Sequence, residues 1–166
     1  MRSVAILATA LLLAIALHAP PAHAAHCGAR GDTYAEALEA KAAAARAAER
    51  RAAAQRAARR EAAAIAKYSR LYGPRVGRWY PLVHEWFPGH EGDALYVMRG
   101  ESGGDRLATN GTCWSLWQLH ECHAAAFRRI TGHAFFWGVL VPRYSAEMTA
   151  HMTNGGRDWS SWSVRP

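Results

Sequence analysis

One glutamate stands out in the C-terminal half of the chain, in the stretch RGESGGDRLATNG from Arg99 to Gly111. Glu101 is flanked by glycine and small polar residues, which are typical of a tight turn. The residues DALYVMRGES have apolar side chains at helical spacing and predict a helix that is capped by Asp93 and ends near Glu101. The helix dipole disfavours a carboxylate at this end. Glu101 is therefore either a solvated turn residue or an acid held at the mouth of a cleft.

A second group of reactive side chains follows shortly after Glu101. In an oxidising compartment, Cys113 and Cys122 are expected to form a disulfide. The sharper alternative is a zinc site that consists of Cys113, His120, Cys122 and His123. The segment HECH contains suitable ligand types, but its spacing matches neither a zinc finger nor a metalloprotease helix. We therefore predict a disulfide, no metal and no cofactor.

The N-terminus predicts export. Arg2 precedes the apolar run SVAILATALLLAIALHAP and the small-residue site PAHA, which is the pattern of a secretory signal cleaved after Ala24. The apolar run is too short and too interrupted for a membrane span. A lipid anchor at Cys27 is disfavoured because the large residue His26 precedes it. We expect a secreted or cell-envelope protein, with residues 1–24 as its signal peptide.

A low-complexity stretch precedes the part of the chain that contains Glu101. After a short segment, residues 25–34, the residues 35–67 are almost only Ala, Arg, Glu, Lys and Gln. These types have high helix propensities, so the stretch predicts a long helical rod. With almost no large apolar side chains, it is a spacer, a weak Ala-rich coiled coil or a basic arm. The Gly and Pro of YGPRVG end the rod, and residues 68–77 are predicted as a linker.

The charge of the chain indicates an acidic partner. The formal net charge is +7 at pH 7, and a basic exported protein meets wall polysaccharide, anionic lipid or nucleic acid. The basic residues are not interleaved with aromatic ones, which argues against specific nucleic-acid binding. A solvated spacer is the favoured interpretation of the rod, and contact with an anionic wall or membrane surface is the alternative.

The remaining residues, 78–166, have an ordinary, aromatic-rich composition and are predicted as one globular domain. Helical periodicity covers WYPLVHEWF, DALYVMRGES, ECHAAAFRRIT and AEMTAHMTN, the last capped by Ser145. The Asn-Gly pair in TNGTCWSLWQL, beside alternating apolar residues, predicts a short hairpin. The fold class is therefore mostly α with one small β-hairpin, preceded by the long Ala/Arg-rich helix.

The motifs ALYVMRGESGGDRLATNG, SLWQL and GGRDWSSW, in this order, resemble the lysozyme-like (α+β) catalytic domain of bacterial lytic transglycosylases and of resuscitation-promoting factors. The resemblance covers about Arg78 to Trp162. The matching positions are the catalytic pair Glu101-Ser102, the loop residue Asn110, the hairpin residues Leu116 and Gln118, and the closing residues Gly155, Gly156, Trp159 and Trp162. The chain departs from the pattern at Ser115, where a glycine is usual, at Asp105-Arg106 in place of Asn-Pro, and at Thr153-Asn154 in place of Tyr-Asn.

The resemblance implies a function. The substrate would be peptidoglycan glycan strands, and Glu101 would act as general acid and base on the β-1,4 bond between N-acetylmuramic acid and N-acetylglucosamine. The residues expected to bind the substrate are Ser102, Asn110, Trp117, Gln118, Asn154 and Trp159, with Trp117 covering Glu101 or lining the sugar groove.

Two alternatives stay open. The first is a lysozyme-type hydrolase, which needs a second carboxylate; the candidates are Asp105, Glu121 and Asp158. The second is a wall-binding or basic interaction protein without catalysis, in which Glu101 is only a ligand contact or the rod is the functional part.

Overall fold

The computed structural model describes residues 30–166, with side chains from Thr33 onward. The predicted signal peptide, Cys27 and the first half of the segment 25–34 lie outside the described residues. The chain divides into two compact units, residues 1–46 and residues 47–166. Within the described part of the chain, no helix is both long enough and apolar enough to cross a bilayer.

Helix α1 spans Arg30–Tyr72 and contains the whole Ala-rich stretch. Most of its side chains are exposed, because they are small or charged and have no core to enter. Tyr68 and Tyr72, at its end, pack instead against the core of the second unit. The Tyr68 ring stacks on the Tyr80 ring with centroids 5.6 Å apart. The packing of these partly buried rings holds the end of α1, within the segment 68–77 that was predicted as a linker, against the core.

The described chain is mostly helical and contains one two-stranded antiparallel sheet, as the sequence predicts. In the sheet, Cys113 lies opposite His120 and Trp114 lies opposite Leu119. After α1 the elements in chain order are α2 (Pro74–Gly77), α3 (Tyr80–Trp86), α4 (Glu91–Ser102), β1 (Cys113–Trp114), β2 (Leu119–His120), a 3₁₀ turn (Glu121–His123), α5 (Ala124–Thr131), α6 (Phe135–Gly138) and α7 (Pro142–Met152).

Several helix boundaries differ from the prediction. Helix α4 begins at Glu91, so Asp93 lies in its first turn rather than at its N-cap. Helix α7 begins at Pro142, whose fixed φ and missing N–H suit the first helical position. Ser145 therefore lies inside α7, fully buried, and is not the cap. Helices α2 and α6 were not predicted, because four residues are too few to establish a helical period.

Aromatic side chains form the centre of the core. The Phe87 ring lies 5.4 Å from Trp117 and 5.9 Å from Trp159, whose ring lies 5.2 Å from Trp162. Trp117 Nε1 donates a hydrogen bond to the carbonyl of Ala94 at 3.0 Å, and Trp162 Nε1 donates one to the carbonyl of Trp117 at 2.7 Å. These contacts join the N-terminal half of α4, the turn of the hairpin and the closing segment (residues 155–166).

Candidate active site

A cleft of about 350 Å³ lies at the C-terminal end of α4, between the hairpin and the closing segment. Half-buried Glu101 is among its lining residues. The described residues that line it are Glu101, Asn110, Cys113, Gln118, Leu119, His120, His123, Met152, Ser161, Trp162 and Ser163. Glu101 is the one acidic residue in this set. The structure therefore places this carboxylate in a cleft and not on a solvated turn.

The closing segment supplies the hydrogen-bond partner of Glu101. Ser163 Oγ donates a hydrogen bond to Glu101 Oε1 at 3.3 Å. The next residue, Val164, packs against Gly100 so closely that a Cβ at Gly100 would lie 2.6 Å from Val164 Cγ1. The absence of a side chain at Gly100 thus allows Ser163 to reach Glu101. Among the described residues, Glu101 Oε2 has no hydrogen-bond partner.

Ser102 joins the end of α4 to the hairpin. Its Oγ contacts the carbonyl of Leu116 at 2.7 Å, as donor, and accepts a hydrogen bond from the N–H of Gly104 at 3.1 Å. Gly104 has φ +78°, and a Cβ there would lie 2.5 Å from the carbonyl oxygen of Arg75. These contacts hold the residues that directly follow Glu101. The structure therefore makes Ser102 a positioning residue, since the backbone already uses the hydroxyl that was expected to bind sugar.

Asn110 and Gln118 shape the wall of the cleft that the hairpin provides. Asn110 Oδ1 accepts a hydrogen bond from the N–H of Cys113 at 2.8 Å. Gln118 Nε2 donates to the carbonyls of Ala108 and Ser115, both at 3.0 Å. Both side chains line the cleft, as expected of substrate-binding residues, but these atoms also fix the loop before β1 and the turn after it.

The turn between the strands accommodates a serine where the resembling family has glycine. Ser115 has φ +72°, in the left-handed region that glycine adopts without strain. Its side chain is fully buried, and its Oγ has no hydrogen-bond partner among the described residues. The Ser115 N–H donates to the carbonyl of Ala108 at 2.8 Å. The turn thus carries a strain of about 1–2 kcal/mol that its hydrogen bonds to the preceding loop must offset.

Four of the six predicted substrate-binding residues are absent from the described lining of this cleft, namely Ser102, Trp117, Asn154 and Trp159. Trp117 is fully buried and has no surface to offer a sugar, so it does not line a sugar groove. Trp159 is also buried in the core, and its Nε1 donates to the carbonyl of Gly156 at 2.9 Å. Asn154 lies exposed just beyond α7. Trp162 is the tryptophan that lines the cleft. The sequence pattern could not distinguish tryptophans that pack in the core from those that face a ligand.

Cys113 and Cys122 are both free thiols, so the predicted disulfide is wrong. The strand register explains this, because the residue opposite Cys113 is His120 and Cys122 lies two positions further on. Cys122 belongs to the 3₁₀ turn that follows β2, so it is not a cross-strand partner of Cys113. No three His, Cys, Asp or Glu side chains in the described residues are grouped to hold a metal ion.

The cleft is also lined by His120 and His123. From the sequence, these two histidines were considered only as possible zinc ligands. His120 Nδ1 accepts a hydrogen bond from the N–H of Cys122 at 3.0 Å. Because a backbone N–H can only donate, the ring proton of neutral His120 is on Nε2, where it can be donated to a ligand. His123 lies at the start of α5. The HECH segment could therefore have indicated this part of the cleft, whereas no motif in the sequence indicated that Ser163 belongs to it.

The three candidates for a second carboxylate lie elsewhere. Asp105 pairs with Arg75 at 3.5 Å, and Glu121 is exposed in the 3₁₀ turn. Asp158 is exposed and accepts a hydrogen bond from the N–H of Ser160 at 2.9 Å. Hydrogen bonds from Ser160 hold the pKa of Asp158 below its ordinary value. None of the three belongs to the described lining of the cleft.

No protein-family model, curated protein or solved structure matches the chain. What the protein does must therefore be inferred from the cleft and from the motifs around Glu101.

Proposed function

We propose that the protein is a secreted lytic transglycosylase that cleaves peptidoglycan glycan strands, with Glu101 as its general acid and base. The observation that carries the proposal is the position of Glu101 at the end of α4, in the cleft between hairpin and closing segment. The proposed fold of residues 78–166 is lysozyme-like. Support comes from a helix that ends at a Glu-Ser pair and is followed by a small hairpin and further helices.

The chemistry needs one carboxyl group that gives and then takes a proton. The protonated carboxyl of Glu101 donates its proton to the oxygen of the β-1,4 bond as that bond breaks, which releases N-acetylglucosamine at the new chain end. The carboxylate then removes the proton from the 6-hydroxyl of the muramyl sugar as that oxygen bonds to C1. The product is a 1,6-anhydro ring, no water is consumed, and Glu101 regains its proton.

The surroundings of Glu101 suit this double role. Ser163 donates to Oε1, which holds the carboxyl group in place, and Oε2 remains for the glycosidic oxygen. His120, whose Nδ1 accepts the Cys122 N–H and whose Nε2 is left for a ligand, and Gln118 lie in the same cleft and can orient sugar hydroxyl and acetamido groups. The volume of about 350 Å³ is within the range of ligand-binding clefts.

The lack of a second carboxylate favours transglycosylation over hydrolysis. Glycoside hydrolases use a second Asp or Glu to activate water or to form a covalent intermediate. In the described lining of the cleft, Glu101 has no such partner. An enzyme whose nucleophile is the substrate's own 6-hydroxyl does not need one.

The basic rod has a proposed role of its own. Residues 35–67 contain eight Lys or Arg and four Glu, so this stretch carries a net positive charge. Its side chains are mostly exposed in α1. We propose that it holds the enzyme near an anionic wall or membrane surface after export, by charge attraction that salt weakens.

The decisive experiment replaces Glu101 with Gln in the chain from Ala25 onward. Gln keeps the side-chain volume and still accepts the hydrogen bond from Ser163, but it cannot deliver a proton. Cleavage of purified peptidoglycan should fall by at least about 100-fold, with unchanged circular dichroism and wall binding. Glu121→Gln is the matched control, since it makes the same chemical change outside the cleft lining and should cleave at the wild-type rate.

The products and the variants separate the alternatives. Mass spectrometry of the fragments should find 1,6-anhydro muramyl ends. Reducing ends, with loss of cleavage in Glu121→Gln, Asp105→Asn or Asp158→Asn, would indicate a hydrolase instead. Wall binding without any turnover would indicate the non-catalytic alternative, and a fully active Glu101→Gln would rule out the assigned role of Glu101.

A further inference from the structure

An exposed apolar patch lies on the second unit, at helix α6. Trp137 is 82% exposed and Phe136 is 53% exposed, and Leu107 and Val141 are exposed as well. Arg106 Nη1 donates to the carbonyl of Leu140 at 3.2 Å, which brings the loop that contains Leu107 next to the residues before α7. We refer to Leu107, Phe136, Trp137 and Val141 as the aromatic patch. Large apolar side chains that are exposed as a group mark an interaction site.

The patch is rigidly mounted. Phe135 is buried, and its ring packs edge-to-face on Phe127 of α5 with centroids 5.4 Å apart. The Phe136 ring packs in the same way on Trp114 of β1 at 5.8 Å. These contacts fix α6 against both neighbours, so the exposure of Trp137 is a property of the fold and not of a loose loop.

The aromatic patch is separate from the described lining of the cleft. Cys113 lines the cleft, whereas the adjacent Trp114 is absent from that lining and contacts Phe136. None of the four patch residues belongs to the described lining either. A ligand of the aromatic patch therefore does not need to occupy the space beside Glu101.

The surroundings of the patch contain more basic than acidic side chains. Asp105, which accepts the N–H of Leu107, is paired with Arg75 at 3.5 Å. Between Glu121 and Glu147 the sequence contains three arginines and no acidic residue. Arg128 and Arg129 are exposed on α5, against which α6 packs. Arg143 is partly neutralised by Glu85 at 3.5 Å. The partner of this surface must therefore combine an apolar phase with negative charge.

We propose that the aromatic patch inserts into the surface of an anionic lipid bilayer. Trp and Phe side chains are well suited to the boundary between headgroups and acyl chains, and each nearby Arg adds attraction to anionic headgroups. Four apolar side chains are too few for a stable protein interface, which buries about 800 Å² on each partner. This inference goes beyond the proposed cleavage reaction and does not depend on Glu101.

The test uses the chain from Ala25 onward, without the apolar N-terminal run, and vesicles of phosphatidylglycerol whose acyl chains are brominated. Bromine quenches tryptophan fluorescence only within the acyl region. All seven tryptophans of the chain lie from Trp79 onward, so quenching reports on the second unit and not on charge attraction by α1. The vesicles should quench the wild-type protein.

Variants at one position make the result specific. Trp137→Phe should still sediment with the vesicles but lose most of the quenching, because the patch stays apolar while its tryptophan is gone. Trp137→Ala should partition about tenfold more weakly. Leu71→Ala is the matched control, since Leu71 is 54% exposed on α1, outside the patch, and should behave as wild type.

Several outcomes would overturn the proposal. These are no quenching of the wild type, unchanged quenching in Trp137→Phe, or equal binding to vesicles of phosphatidylcholine alone. A dimer that forms without lipid and dissociates in Trp137→Ala, by light scattering, would make a second copy of this chain the occupant instead. Peptidoglycan cleavage by the same preparations is measured separately, so failure of either proposal is recognised independently of the other.

Discussion

The hydroxyl of Ser102 should contribute to both stability and cleavage, and Ser102→Ala separates the two effects. The change removes the hydrogen bonds between Oγ, the carbonyl of Leu116 and the N–H of Gly104. Losing one such bond costs about 1 kcal/mol, and each buried partner left unsatisfied costs about 1–3 kcal/mol. Leu116 is fully buried, so we expect a loss of about 2 kcal/mol. For a unit of this size Tm should fall by roughly 5–10 °C.

The control is Thr131→Ala, which removes an equivalent hydroxyl at the end of another helix. Thr131 Oγ1 donates to the carbonyl of Phe127 at 2.9 Å and accepts from the N–H of His133 at 3.2 Å. Both variants should lose stability in urea unfolding followed by circular dichroism. At a temperature where both are folded, only Ser102→Ala should lose peptidoglycan cleavage, because only Ser102 holds the end of α4 against the hairpin. Equal cleavage by the two variants would refute the positioning role of Ser102.

Two further predictions concern the cleft and its support. In a chain whose Cys27 and Cys122 are replaced by Ser, alkylation of Cys113 with N-ethylmaleimide should fill the cleft and abolish cleavage. In a chain that retains only Cys122, the same reagent should leave cleavage unchanged. Resistance of Cys113 to alkylation in the native protein would contradict the cleft geometry. Burial alone would raise the pKa of Glu91, but hydrogen bonds from His84, at 2.6 Å, and from backbone amides outweigh it and hold its pKa below the ordinary value. Ionised Glu91 thus stabilises the fold. The free energy of unfolding, measured in urea, should fall as the pH drops below about 4.5 and through the lowered pKa of Glu91. A Glu91→Gln variant with the same dependence on acid would contradict this.

The sequence predicted the elements that have a clear period and missed those that depend on tertiary contacts. The helix that ends at Ser102 could be predicted, because apolar spacing is a local signal. A small hairpin was also expected in this region, but its turn is residues 115–118, whereas the Asn-Gly pair on which the prediction depended precedes β1. The end of α1 could not, since Tyr68 and Tyr72 are ordinary helix residues until Tyr80 is known to lie beside them.

The sequence pointed to Glu101 as a residue of a cleft, but it did not identify the residues that lie beside Glu101. Glu101 was identified from a local motif, and it does line a cleft. Ser163 reaches Glu101 from 62 residues away, through an approach that depends on the missing side chain of Gly100. The disulfide failed for a related reason, because spacing along the chain does not give the register that pairs Cys113 with His120.

The motif residues around Glu101 mostly bind the protein's own backbone. The side chains of Ser102 and Gln118 hydrogen-bond to main-chain groups of the loop and the hairpin turn, and Trp162 hydrogen-bonds to Trp117 in that turn. A pattern of this kind specifies the shape of a cleft and one acid within it, and leaves the groups that meet the ligand to less constrained positions such as His120 and Ser163. Substitutions at Glu101 should therefore abolish the chemistry and preserve the fold, whereas substitutions at the surrounding motif residues should reduce cleavage in proportion to how far they displace the hairpin from the end of α4.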